Sequence, residues 1–232
     1  LPMFGIDIRG SVDLTTLVWA LIFGFGGAFI SLAFSKQMAR AMLQDCRQIT
    51  QPRSHTEQLI YGSVKEIADR LHITTPEVWI YDSPDPNAFA TGPSKNNSMV
   101  AVSTGLLQNL KEDEVKAVLA HEMGHVFNGD MFATTILAGL MNTFVYFIAM
   151  WVRRFFAQRD QAVLGFGLSI VLQIVVSILA SILISWFSRR RAYEAGAFSA
   201  RVYGKQSMIG ALQGIDRWVN RTQFEYSNQD AL

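Results

Sequence analysis

His121-Glu122-Met123-Gly124-His125 spells His-Glu-x-x-His, and the reading of the whole chain turns on it. On a helix, residues four apart project from one face, so both imidazoles reach a single metal ion. Glu122, beside the first, is placed to take a proton from a metal-bound water. The surroundings predict that helix. Glu112, Asp113 and Glu114 put negative charge where a helix N-terminus favours it, behind Asn109 as a candidate cap. Val115, Val118, Leu119, Met123 and Val126 then recur at helical spacing. The pattern is that of a zinc hydrolase.

The motif lies in what reads as a soluble segment, about residues 36–130. Gln58 to Leu71 is predicted as an amphipathic helix, with Leu59, Ile60, Val64, Ile67, Ala68 and Leu71 on one side. Val78-Trp79-Ile80-Tyr81 is a strand, started after Pro76 and broken by Ser83-Pro84-Asp85-Pro86, and Met99 to Val102 is a second. Asn87 to Gly92 lies between the two, with Pro93 to Asn97 as the turn region. A peptide bound beside the motif must be held extended, and an exposed strand edge does this through backbone hydrogen bonds. Asn87, Ala88, Phe89 and Ala90 are the candidate substrate strand, with Phe89 placed either towards the substrate or in the core.

Flanking that segment are three uncharged stretches long enough to cross a bilayer: Leu14 to Phe34, Met131 to Val152 and Ala162 to Phe187. The first carries Gly24-Phe25-Gly26-Gly27, which lets helices approach closely. It does not read as a cleaved signal peptide, because Asp7, Arg9 and Asp13 precede it and no small-residue cleavage site ends it. Four regions follow: 1–35 with the first span, 36–130 with the motif helix, 131–188 as a membrane hairpin, and a polar region 189–232. Arg189-Arg190-Arg191 is predicted to open a further helix running to about Tyr203. Lys36 and Arg40 after the first span and the three arginines after the third place both ends in the cytoplasm, although Arg153, Arg154 and Arg159 at the hairpin's far turn run the other way.

Composition agrees with a membrane protein, since 50% of the 232 residues are hydrophobic and the mean hydropathy is positive at +0.21. A net charge of +1 gives no general attraction to nucleic acid. The single cysteine, Cys46, excludes an internal disulfide and a cysteine-based zinc cluster. Transport is disfavoured because the spans carry no ionisable group.

Val100 to Leu107, the motif with Asn128-Gly129-Asp130 behind it, and Asn87 to Gly92 ahead of it resemble the HtpX family of membrane zinc proteases, in the wider M48 peptidase group. The resemblance runs from Leu14 to about Gly214. It implies an α+β membrane protein: a mostly helical, zincin-like metalloprotease domain with a small β-sheet, plus transmembrane helices. It implies a Zn²⁺-dependent endopeptidase of the bacterial inner membrane, its site facing the cytoplasm, acting on misfolded or unfolded membrane proteins in quality control. That family has four spans, so one is expected ahead of Leu1. Partners are the lipid bilayer, unfolded membrane-protein substrates and other quality-control proteins, with no nucleic acid. A prenyl-protein endoprotease of the same wider group is the alternative enzyme.

The resemblance assigns metal ligands to His121 and His125 and the catalytic base to Glu122. It also exposes a departure. The family's third zinc ligand, a glutamate, aligns with Ala192, and the aspartate that follows it four residues later aligns with Gly196. A methyl group binds no zinc, and a glycine orients no histidine. Glu194 lies roughly 200° around the helix from 192 and faces away unless the register shifts. The chain is therefore expected to bind zinc weakly or not at all. It reads as an inactivated form, or as a pseudoprotease that holds unfolded segments without cutting them.

Overall fold

The computed structural model describes residues 14–43, 45–158 and 161–229. The described residues form two compact units, one within residues 1–32 and 132–188 and the other within residues 33–131 and 189–232.

The first unit is built from α1 (Leu14–Ala33), most of α6 (Asp130–Ala157) and the first part of α7 (Ala162–Tyr203). All three helices are long and apolar enough to cross a membrane. Their outward residues are apolar because lipid is their solvent: Phe23, Ile30, Phe144, Val171 and Ile182 are all exposed. Small and polar residues supply the contacts between helices. Gly24 packs so closely on Thr143 that a Cβ there would lie 2.1 Å from its Oγ1. Arg153 donates to Ser169 Oγ at 3.0 Å with its guanidinium over the Phe166 ring, and Arg154 donates to buried Thr16.

The second unit holds α2 (Ser35–Met42), β1 (Arg47–Gln48), α3 (His55–Arg70), β2 (Glu77–Tyr81), β3 (Ala88–Ser94), β4 (Asn97–Ser103), α4 (Thr104–Asn109), α5 (Glu112–Asn128), the end of α7 and α8 (Lys205–Gln229). The sheet runs β1-β2-β4-β3, with β2 and β4 parallel and both outer strands antiparallel to their neighbours. Ser103 N–H donates to Asn87 C=O. With Ala88 opposite Val102 and Ala90 opposite Val100, the backbone groups of Ala88 and Ala90 point away from β4, out of the sheet's edge. β4 is buried along both faces. One face meets α3 and α5 through Ile60, Val64, Ile67, Val100, Val102, Leu119 and Met123. The other carries a smaller cluster of Tyr81, Met99 and Ala101, joined by Phe89 and Trp79. Ser54 and Glu57 form a reciprocal cap that starts α3.

Three local expectations are corrected. Asn109 does not cap the motif helix: it ends α4, where its Nδ2 donates to the Gly105 carbonyl at 2.7 Å. The cap is Lys111, whose N–H is accepted by the Glu114 carboxylate at 2.9 Å, because Leu110 turns the chain extended before α5 can begin. The region Pro93 to Asn97 is not all turn. β3 continues to Ser94 through an irregularity at Gly92, whose φ of 149° only glycine adopts readily, and a Cβ there would meet the Asn97 carbonyl at 2.3 Å. The arginines do not open a new helix. α7 is continuous across Arg189 to Arg191, since no glycine, proline or cap interrupts it, and it stops at Gly204 with φ of 90°.

Candidate active site

His121, Glu122 and His125 lie on α5, whose buried face of Val115, Val118, Leu119, Met123 and Val126 seats it on the core and turns the motif outward. The two imidazoles stand edge to face with centroids 4.9 Å apart, as two donors to one ion would. Past Asn128, Gly129 adopts the left-handed conformation (φ 67°) and closes α5. The chain enters α6 at once, bringing Asp130 back against His125, whose Nδ1 is 2.6 Å from the Asp130 carboxylate. Arg191 pairs with the other oxygen of Asp130, donates to the Asn128 carbonyl at 2.9 Å and reaches Glu194 at 3.3 Å. This buried carboxylate fixes the His125 ring with Nε2 free for a ligand.

His121 has no such support. Its Nδ1 is buried without a hydrogen-bond partner. The end of α7 lies along α5 here: Ser199 Oγ donates to the Ala117 carbonyl at 2.6 Å, and Ala195 faces Gly124, where a Cβ would come within 3.1 Å of its Cα. Gly196 falls between these contacts, and a Cβ built on it would sit 3.8 Å from His121 Nδ1. A carboxylate at 196 would reach that nitrogen; glycine leaves it unmet. Half-buried Ala192 lies one turn earlier on the same face, with no donor atom. Glu194 is exposed and engaged by Arg191, so no shift of register brings it to the histidines. Among the described residues no three His, Cys, Asp or Glu side chains converge as a metal site.

Burial sets the charge states. It lowers His121 from 6.5 to about 4, with neighbouring His125 adding to the effect and Asp130 partly opposing it. It pushes Glu122 from 4.5 up to about 8, against the pull of a backbone hydrogen bond from Ala90. That bond ties the carboxyl to the outward edge of β3.

The four candidate substrate residues divide between two surfaces. Asn87 and Ala88 line a cleft beside His121 and Glu122, and Ala90 touches Glu122. Phe89 points through the other face of the sheet onto Tyr81, with ring centroids 6.1 Å apart, so its side chain belongs to the smaller core cluster. Sequence reasoning missed two things. Asp130 as the support for His125 was signalled by its spacing of five residues across a glycine. The far wall of the cleft comes from α8, which left no comparable signal.

The family model for Peptidase family M48 matches residues 54–220. Protease HtpX of Idiomarina loihiensis is 46% identical over 218 residues, covering 92% of this chain and 75% of that protein. Protease HtpX of Shewanella halifaxensis is 50% identical over 209 residues, covering 86% and 72%. In three dimensions the chain is similar to S. mikatae Ste24p, seen in a crystal structure, with a TM-score of 0.67 at 20% identity; this likeness concerns the fold and covers 86% of this chain and 50% of Ste24p.

Zinc, which an M48 metalloprotease implies, is met only in part by these residues. His125 is oriented as a ligand should be, His121 lacks the acceptor that would fix its ring, and the face at 192 offers no third donor.

Proposed function

Because the chain belongs to Peptidase family M48, in its HtpX branch, and is an integral membrane protein, we propose that it is a membrane-protein quality-control endopeptidase in an inactivated form. It stands in a bacterial inner membrane with the motif helix facing the cytoplasm, and it grips extended segments of misfolded membrane proteins without cutting them. The orphaned Nδ1 of His121, opposite Gly196, is the observation that carries this reading. Two losses on one face of α7, at 192 and 196, remove a ligand and a ligand's support together. The rest of the frame is intact: an oriented His125, a glutamate beside the first histidine, and an outward strand edge at Ala88 and Ala90 against Glu122. A peptide laid along that edge pairs its backbone with β3.

The test is to compare the chain with its Ala192→Glu, Gly196→Asp form. After dialysis against a mild chelator, the unchanged protein should retain little zinc and the restored one close to one equivalent. The restored protein should also cut an unfolded polypeptide such as reduced casein, and Glu122→Gln in that background should abolish cutting while zinc stays bound. Comparable cutting by the unchanged chain would refute inactivation. A restored protein that holds zinc yet cuts nothing would count against an endopeptidase function for this frame and favour holding alone.

A further inference from the structure

Beside His121 and Glu122 the second unit opens into a cleft of about 210 Å³, with walls from four elements. Its floor is Leu106 of α4, Val118 of α5 and Ala211 of α8, all buried. Met208 and Leu212 of α8 form one rim, and Ala88 at the start of β3 with Asn87 just before it form the other. α8 is held in place by glycines: a Cβ on Gly210 would lie 2.6 Å from Glu114 Oε1, and one on Gly214 would lie 2.3 Å from Leu110 Cδ2. The helix therefore docks against the α4–α5 junction along one side, and its Met208, Ala211, Leu212 and Ile215 side is turned to the cleft. Leu212 stays 56% exposed at the mouth.

We propose that this cleft is a specificity pocket that takes one aliphatic side chain, Leu, Ile or Met, from a peptide paired with the outer edge of β3. The inference rests on the holding function proposed above and supplies its substrate preference. Two features select this occupant. First, the pocket's mouth adjoins Ala88, whose backbone groups point out of the sheet, so the chain that reaches the mouth is an extended peptide. In such a strand every second side chain turns to one face, which delivers a single side chain to the mouth. Second, apart from Asn87, His121 and Glu122 the lining is apolar. A charged side chain placed there would shed its water with only Asn87, His121 and Glu122 to meet it, none of them a full opposite charge at neutral pH, whereas an aliphatic one replaces water against Leu106, Val118 and Ile215.

The experiment measures binding of the full chain in detergent micelles to fluorescein-labelled ten-residue peptides of Ser, Thr and Asn, identical but for one central residue. The Leu peptide should bind about tenfold more tightly than the Ala peptide, the size expected for a few buried methyl groups. Lys and Asp peptides should bind no more tightly than Ala. Leu212→Gln, at an exposed position that folding tolerates, should cut the Leu-to-Ala ratio to about threefold or less. Ala211→Leu, which fills the floor, should favour the Ala peptide. Equal binding of Leu and Ala peptides would overturn the pocket while leaving the strand-edge grip standing, and a Lys peptide that binds best would do the same. Failure of every peptide to bind would overturn both.

Discussion

Gly196→Asp alone tests the central geometric claim, that an unmet nitrogen of His121 faces residue 196. In the chain as it stands, burial keeps the imidazole neutral down to about pH 4 instead of 6.5. That difference corresponds to roughly 3 kcal/mol of disfavoured protonation. In the unfolded chain His121 takes its proton near 6.5, and the folded chain refuses it until about 4. Folding stability is thus unaffected above 6.5 and falls as pH drops through that window. A carboxylate whose Cβ stands 3.8 Å from Nδ1 accepts its hydrogen and favours the charged ring. An acceptor carboxylate at this range raises a histidine by about 1–2 pH units, so the variant should recover about 1.5–3 kcal/mol of the acid loss at the foot of the window. The assay is an NMR titration of the histidine Cε1–H resonances. The chain has four histidines, and His55 and His72 are exposed, which leaves the two motif rings to be told apart by a His125→Gln control. The expected result is a midpoint that moves from near 4 towards 6. If the His121 midpoint does not move, residue 196 does not face Nδ1 and the account of the departed second carboxylate fails.

Three further outcomes are expected. Glu122→Gln should flatten the alkaline side of the stability profile: folded Glu122 keeps its proton to about pH 8 while the unfolded chain sheds it near 4.5, so stability falls as pH rises between those values. The gain on substitution should be on the order of 4 kcal/mol at pH 8 and vanish near pH 4, read from melting at the two pH values. Asp130→Ala should destabilise by about 2–3 kcal/mol in denaturant titration, near the lower end for a broken buried pair because Arg191 keeps the Asn128 carbonyl and Glu194; a change under about 0.5 kcal/mol would mean the network holds nothing. In a Cys46→Ser background, single cysteines at Lys111 and Lys205 should both react with an impermeant thiol reagent only from the cytoplasmic side, and labelling of the pair from opposite sides would break the topology.

Much of this was legible because strong periodicities go unopposed. The motif helix, the Gln58 to Leu71 helix, the strands at Val78 and Met99 and the three apolar spans were all readable, since each buries or exposes one consistent set of residues. What was not legible depended on partners distant in the chain. β3 runs through Gly92 and Pro93, residues that signal a turn until β4 lies alongside. The continuity of α7 past three arginines reverses a boundary inferred from polarity, which helix propensity does not respect. At the site, the juxtaposition of the His121 and His125 rings beside Glu122 followed from spacing alone. The unmet Nδ1 of His121 needed the approach of α7, and the apolar cleft needed α8, whose small residues show their purpose only against Leu110 and Glu114.

The joint at Asn128-Gly129 has no slack. Gly129 ends one helix and Asp130 begins the next, so a single residue both seals α5 and sets the phase of the carboxylate that steadies His125. Adding or deleting one residue there would swing Asp130 by about 100° around α6 and strip the histidine of its brace, however perfectly both helices re-formed. Length is thus constrained at this junction more tightly than identity. Relatives that have drifted in their metal-binding side chains should still keep the count of five between His125 and its aspartate, while the turn at Lys95 and Asn96 is free to grow.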